Sequence, residues 1–186
     1  MALVIKGSTS GQVTIDVPAE SGTNTLTIPA STGTLLTTSN QSTNTPAFVV
    51  RLASNQGISD NTITKVAFDT EDVDTDSAFA SNKFTVPSDK AGLYKFDALV
   101  RLDSGNNNDA GTAILYLYKN GTSQHIAYNH FGTNYPRAAT MNINSILNLS
   151  VGDYIEIYAA MNTVDGSDVT VNSNKFSVFS GHKLIS

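Results

Sequence analysis

The stretch AGLYKFDALVRL, residues 91–102, decides the fold of this 186-residue chain. A glycine turn opens it, and apolar and polar residues then alternate in the pattern of a β-strand. Tyr94 and Phe96 are two positions apart, so they project to the same side of such a strand. Aromatic side chains that share one face are typical of a strand packed on a core. The pattern therefore predicts a long strand from Leu93 to Leu102 with both aromatic residues in the core.

Strand patterns recur along the rest of the chain from residue 46, with turn signals such as Asn120-Gly121 between them. No segment keeps apolar residues at the spacing of a helix face, so we expect little helix. About ten short strands in one domain indicate a β-sandwich or jelly roll. The predicted strands cover residues 47–52, 62–68, 83–86, 93–102, 113–119, 124–131, 139–149, 153–161, 168–171 and 175–184.

The composition excludes several classes of function. Uncharged polar residues dominate, with 20 Ser, 22 Thr and 18 Asn, and only 15% of residues are charged. A net charge of −5 argues against nucleic acid and against insertion into anionic membranes, because both partners need a basic surface. The absence of cysteine excludes disulfides, thiolate metal sites and thiol nucleophiles. A small domain without disulfides commonly gains stability by oligomerisation.

The first 45 residues differ from the rest, since they contain no aromatic residue and three charged ones. Within them, residues 13–22 resemble residues 26–33, each a short alternating strand with a Pro-Ala turn and a glycine corner. Such short strands need other surfaces to pack against. We predict that residues 1–45 are an N-terminal anchoring and oligomerisation segment and that residues 46–186 are the head domain. The apolar start, residues 1–7, is too short for a signal peptide or a membrane span, so we expect no secretory export.

Two predicted strands carry tyrosines on the face opposite the core face. Tyr116 and Tyr118 alternate with core positions in one strand, and Tyr154 and Tyr158 do so in another. A sandwich strand needs only one buried face, so a second aromatic face suggests cover by another subunit. The four tyrosines are therefore candidate subunit contacts, and ordinary surface tyrosine is the alternative.

Five short motifs resemble the globular domain of complement C1q, in the order of that family. KFTVP and AGLYKF within residues 83–96 are similar to its F-x-x-P and G-L-Y-x-F. LYLYKNG at residues 115–121 and LNLSVGDYI at residues 147–155 are similar to its L-x-K-N-G and L-x-L-x-x-G-D-x-V. The end of the chain, residues 176–184, is similar to its closing F-S-G-x-L-L strand. The resemblance implies an all-β, C1q/TNF-like ten-stranded jelly-roll sandwich that assembles as a homotrimer, here without the family's collagen stalk and secretion signal.

Residues 8–40 resemble a stretch that is common in bacteriophage fibre proteins, above all in phages of cyanobacteria. Its quoted part runs SGQVTI to GTNTLTIPASTGTL within residues 10–35. This resemblance implies a virion protein whose residues 1–45 attach it to other virion proteins. The expected function is that of a trimeric tail fibre or fibre tip that contacts the host surface, with polysaccharide as the ligand class. A trimeric capsid decoration or cement protein that stabilises the head is the alternative.

Catalytic motifs are missing from the sequence, which has no nucleophile elbow, P-loop, dinucleotide fingerprint or zinc-protease helix. His125 and His130 are five positions apart in a predicted strand and so point to opposite faces. We therefore expect no enzymatic activity. Carboxylates that meet from distant strands, as in a polysaccharide-degrading tailspike, are the remaining alternative.

Metal and receptor sites are predicted only as candidates, and no cofactor is expected. The acidic run of residues 69–76 is expected to be a solvated loop, with calcium as the alternative because calcium prefers such oxygens. Receptor contact is expected on loops, which vary without disturbing a core; plain connecting loops are the alternative. The calcium candidates are Asp69, Asp72, Asp74 and Asp76, and the receptor-contact candidates are Asn106, Asn107, Asn108, His130, Tyr135 and Arg137.

Overall fold

The structure is a computed structural model that describes residues 3–6, 8–15, 44–105 and 108–184. The chain divides into two compact units, Met1–Gln41 and Ser42–Ser186. In the first unit, β1 (Leu3–Lys6) and β2 (Gln12–Ile15) form an antiparallel hairpin. β2 overlaps the start of the first copy of the internal repeat, residues 13–22, and the second copy, residues 26–33, lies outside the described residues.

The second unit, which we call the head, is built from antiparallel strands. A short 3₁₀ turn, Asn174–Phe176, is the one helical element among its described residues, and no described helix is long and apolar enough to cross a membrane. The strands are β3 (Ala47–Arg51), β4 (Gln56–Ile58), β5 (Thr64–Lys65), β6 (Thr70–Asp74), β7 (Phe79–Ala80), β8 (Lys83–Thr85), β9 (Gly92–Asp103), β10 (Ala110–Lys119), β11 (Thr122–His130), β12 (Ala138–Leu149), β13 (Tyr154–Thr163), β14 (Val169–Val171) and β15 (Val178–Lys183).

These strands form two sheets that pack face to face. The six-stranded sheet has the order β11-β10-β13-β8-β7, and β5 also pairs with β13. In the seven-stranded sheet, β12 pairs with one edge of β9, while β15 and β14 pair with its other edge. Beyond them the sheet continues through β3 to β6 and through β14 to β4. The stretch at residues 91–102 thus forms the central strand of its sheet, as the sequence predicts.

An aromatic cluster fills the core between the sheets. Tyr94 and Phe96 on β9 are fully buried, which confirms the prediction from their alternation. Phe48 from β3 stacks on Phe84 from β8 with 5.0 Å between ring centroids, so the cluster joins the two sheets. Phe179 meets Phe48 edge-on at 4.9 Å, a geometry favoured by aromatic rings.

The long predicted strands agree with β9, β10, β11, β12 and β13 to within three residues at each end. Two predicted strands are shorter in the structure by four residues or more. Residues 62–68 yield only the pair of residues in β5, and the strand predicted at residues 175–184 begins at Val178 because the 3₁₀ turn precedes it. Three short strands, β4, β6 and β7, have no counterpart in the prediction.

The prediction of a solvated loop at residues 69–76 is wrong for most of the run. Thr70–Asp74 forms the edge strand β6, which pairs with β3 so that Val49 lies opposite Val73. Aspartate disfavours strands, and here the hydrogen bonds of the neighbouring strand outweigh that preference. Charged side chains on an edge strand also hinder pairing with other molecules.

Gly181 on β15 has no room for a side chain, which makes it a test of the core packing. A Cβ at this position would lie 2.5 Å from a ring carbon of Phe96 and 2.8 Å from one of Phe48. Both rings are buried and cannot retreat. Gly181→Ala is expected to lower the free energy of unfolding by about 1–3 kcal/mol, measured by urea denaturation.

Gly57 on β4 is the matched control, because a Cβ there has no atom within 4 Å. Gly57→Ala is expected to leave stability unchanged or slightly raised. Equal effects of the two substitutions would contradict the described packing of β15.

Candidate functional site

Four tyrosines lie together on the outward side of the six-stranded sheet. The antiparallel register of β10 and β13 places Tyr116 opposite Tyr158. Tyr118 and Tyr154 fall on the same side, because side chains alternate along each strand. The ring centroids of Tyr118 and Tyr158 are 4.5 Å apart, and those of Tyr116 and Tyr118 are 6.0 Å apart. The structure thus brings the four candidate subunit contacts into one surface, the tyrosine face; contact with a second copy stays a prediction.

Each charged group on the tyrosine face has a partner on that face. Lys65 Nζ lies 2.7 Å from Glu156 Oε1 and also donates to the Ser81 carbonyl at 2.9 Å. Lys83 Nζ lies 4.4 Å from the centroid of the Tyr154 ring, a cation–π contact. The position of Glu156 between two tyrosines is visible in the sequence. The sequence does not show that Lys65 is the ion-pair partner of Glu156, because Lys65 comes 91 residues earlier and reaches the face only through the pairing of β5 with β13.

The phenols of this face are partly withdrawn from water. Burial raises the pKa of Tyr116, and neighbouring Tyr118 raises it further. Burial also raises the pKa of Tyr158, together with the negative charge of Glu156. These hydroxyls therefore stay protonated at neutral pH. Tyr116 and Tyr158 each offer an apolar ring with a neutral hydrogen-bonding group at its tip.

Two of the C1q-like motifs meet in one hydrogen-bond network at an end of this sheet. Asn120 Nδ2 donates to Asp153 Oδ1 at 2.7 Å, and the Tyr154 N–H donates to Asn120 Oδ1 at 2.9 Å. Asp153 Oδ2 accepts the Ser150 N–H at 2.8 Å and lies 2.8 Å from Lys119 Nζ. These hydrogen bonds, led by the one from Lys119, lower the pKa of Asp153 to about 2. The network fixes the two turns that hold β10 and β13 in register.

Asp153→Asn is expected to lower the free energy of unfolding at pH 7 by roughly 2 kcal/mol, because it removes charge-assisted hydrogen bonds. The folded pKa of about 2 lies below the ordinary value of 3.8. The stabilisation is therefore complete above the unfolded pKa and disappears as the pH falls through the folded one. Urea unfolding across this pH range measures the difference between wild type and variant.

The control is Asp97→Asn. Asp97 pairs with Lys95 at 3.3 Å, and both side chains are more than two-fifths exposed. Exposed pairs contribute little, so this variant is expected to match wild type. A loss from Asp153→Asn that persists unchanged at the acid end would contradict the carboxylate mechanism.

The predicted receptor contacts are spread over separate loops. Asn106 and Asn107 lie outside the described residues. Asn108 is exposed in a bend, His130 is exposed at the end of β11, and Tyr135 is half-buried. These described residues retain accessible surface, and their contact with a receptor stays a prediction.

Arg137, the last receptor-contact candidate, is tied to the seven-stranded sheet. Its Nε lies 3.0 Å from Asp103 Oδ1, and its Nη2 lies 3.3 Å from Asp103 Oδ2. Asp103 is buried and also pairs with Arg101 at 3.4 Å. The guanidinium thus anchors the loop before β12, although about half of the side chain remains exposed.

The structure does not assemble the calcium candidates into a site. Each of the four carboxylates has a protein partner of its own, and the described part of the chain contains no group of three acidic or histidine ligands placed for a metal ion. Asp69 accepts the Ala53 N–H, Asp72 pairs with Arg51, Asp74 accepts the N–H groups of Ala78 and Phe79, and Asp76 lies 3.4 Å from Lys90.

One pair of carboxyl groups meets from distant parts of the chain, at Asp109 and Asp165. Burial raises the pKa of Asp109, and interaction with Asp165 raises it further. Asp109 is 7% exposed, whereas Asp165 lies in an exposed turn. The sequence contains both acidic turns but gives no sign that they meet.

Two shallow grooves lie on the outward side of the seven-stranded sheet and share Val49. The first has a volume of about 460 Å³ and contains Asp97 and His182 among mainly apolar residues. The second has a volume of about 620 Å³ and contains Arg51 and Phe176. Their walls come from β3, β6 and β15, which are far apart in sequence, so no local pattern could indicate them.

Comparison with known proteins supports the fold of the head. No family model matches the sequence, and no curated protein is similar to it in sequence. The globular domain of zebrafish complement 1qA protein is similar in structure, with a TM-score of 0.52 and 18% identity over 75% of this chain and 98% of that one. Eiger TNF from S. frugiperda is similar with a TM-score of 0.54 and 13% identity over 75% and 91%. The predicted C1q/TNF-like jelly roll is confirmed.

Proposed function

We propose that this chain is a structural protein of a bacteriophage virion, a homotrimeric tail fibre or fibre tip that contacts polysaccharide on the host surface. The main support is the division of the chain into two compact units, of which the second is a C1q/TNF-like head. The resemblance of residues 8–40 to phage fibre segments adds to it. In this proposal residues 1–45 join other virion proteins, and the head binds without catalysing a reaction.

Self-association is supported by one side of the head, the uncharged flank formed by β11 and β12. Each is the last described strand on its side of a sheet, and Asn129 Nδ2 lies 3.4 Å from Met141 Sδ, so the two edges are adjacent. Apart from Arg137, residues 122–152 contain no Lys, Arg, Asp or Glu. Edge strands without charges or prolines pair with other molecules unless they are covered.

We propose that a second copy of the chain covers the uncharged flank. Ile126 on the outward side of β11 and Ile146 on the outward side of β12 are each 59% exposed, which places one exposed apolar residue at each rim of the flank. The flank of one copy packs on the outward side of the next copy's seven-stranded sheet, where the grooves around Val49 receive it. Such a head-to-tail contact closes into a ring when the rotation that relates one copy to the next allows closure, and a ring of three copies is the trimer. Trimerisation strengthens weak sugar binding through avidity.

Ile126→Glu is expected to convert the trimer to a single chain of 19.7 kDa, because a carboxylate would be buried without a partner in each contact. Light scattering on the full chain measures the mass. Val164→Glu is the matched control, since Val164 is 58% exposed in the turn between β13 and β14. A trimer that survives Ile126→Glu would contradict the flank as the contact.

Attachment is tested by incubating cyanobacterial cells with the full chain before adding phage that infect them. The proposal predicts that the chain binds the cells and reduces phage adsorption. Antibody labelling of phage particles in the electron microscope is expected to mark the tail.

Three outcomes would replace the proposed function. A trimer that labels the capsid and ignores cells would indicate a head decoration protein. Release of reducing ends from host capsule would indicate a degrading tailspike. Absence of the chain from virions would remove the phage assignment.

A further inference from the structure

The tyrosine face borders the uncharged flank, where Ile126 lies opposite Tyr116, and it shares no residue with the flank or with the grooves. Five of the seven tyrosines in the chain project from the outward side of the six-stranded sheet. Four form the tyrosine face, and Tyr128 on β11 lies beside it, opposite Ile114. Such a concentration is not required by the core, whose tyrosine is Tyr94.

We propose that the tyrosine face binds a neutral oligosaccharide of the host surface. This inference rests on the proposed function and identifies the surface of the head that contacts the host polysaccharide. It replaces the subunit contact that the sequence suggests for these tyrosines with a ligand contact.

The geometry of the rings suits a saccharide. Tyr118 lies between Tyr116 and Tyr158, with centroid separations of 6.0 and 4.5 Å, so the three rings form a continuous aromatic surface. The C–H groups on one side of a pyranose ring pack on aromatic faces, and the phenol groups can exchange hydrogen bonds with sugar hydroxyls. Tyrosine gives this mixed contact at low entropic cost, because it has only two rotatable side-chain bonds.

The charges of the face indicate a neutral ligand. Lys65 is engaged by Glu156, and Lys83 is held over the ring of Tyr154. An acidic sugar would need an unpaired cation, and the tyrosine face has none among its described residues. The paired groups remain able to orient hydroxyls, which is the usual role of the few polar groups in a sugar-sized site.

A second protein copy fits this face less well than it fits the flank. Subunit contacts need an apolar centre, and most of the strongly exposed aliphatic residues of the head strands lie on the seven-stranded sheet: Val73, Leu93 and Ile146. Ile126 lies on the outward side of the six-stranded sheet, at the edge of the tyrosine face opposite Tyr116. The tyrosine rings are only partly exposed because they pack on one another.

Tyrosine emission gives a direct test, because the chain has no tryptophan. The full chain is titrated with cello-, malto- and manno-oligosaccharides while its fluorescence is recorded. A saturable change with at least one series is expected. Tyr118→Ala and Tyr158→Ala are each expected to weaken that binding by about tenfold or more, as loss of one aromatic stacking partner does. Tyr118→Phe keeps the ring and is expected to weaken binding less.

Tyr135→Ala tests the alternative site, because Tyr135 is a receptor-contact candidate in the loop between β11 and β12. Val164→Ala is the control, because Val164 is 58% exposed in the turn between β13 and β14. Circular dichroism and light scattering on each variant establish that the fold and the trimer are kept. Tyr118→Phe removes no packing surface, so it keeps the test valid if an alanine variant fails to fold.

Four outcomes would overturn the inference: no response to any series, unchanged binding in both alanine variants, loss of binding in Tyr135→Ala alone, or dissociation of the trimer in the tyrosine variants. Adsorption to cells without any sugar response would overturn it and leave the proposed function standing. A sugar response lost in the tyrosine variants, from a chain that does not adsorb to cells, would support the inference and count against host attachment.

Discussion

The close approach of β15 to the aromatic core is the constraint on which the head depends. Gly181 lies against the rings of Phe96 and Phe48, so β15 can sit between β3 and β9 at hydrogen-bonding distance while both rings stay in the core. Phe48 in turn stacks on Phe84 of the other sheet. One missing Cβ therefore allows the chain's last strand to complete its sheet and lets the aromatic cluster hold the two sheets together.

The packing of this core determines which residues face outward and how they align. β13 buries Ile155 and Ile157 on its inner side, and the same alternation turns Tyr154, Glu156 and Tyr158 outward. The turn network around Asp153 then keeps β13 in register with β10, which aligns Tyr158 with Tyr116. The tyrosine face is thus a consequence of core packing and turn chemistry together.

The edges of the head differ in charge. The acidic strand β6 forms one edge of the seven-stranded sheet, while β11 and β12 at the other side of the head carry no formal charge. An edge strand with charged side chains resists pairing with other molecules, whereas an uncharged edge strand favours it. The proposed fibre head would need both kinds of surface, since its copies would join one another while its binding face stays open.

The sequence by itself determined the strands with clear alternation, including β9 and β13, and the Asn120-Gly121 turn, where both residues take positive φ of 52° and 76°. It also determined which tyrosines share a face, because that depends only on a period of two. Only the tertiary structure decided that residues 70–74 form a strand, that Lys65 reaches Glu156 and that two grooves open beside Val49. These features depend on partners that are distant along the chain, and an alternating pattern specifies a strand's faces but not its neighbours.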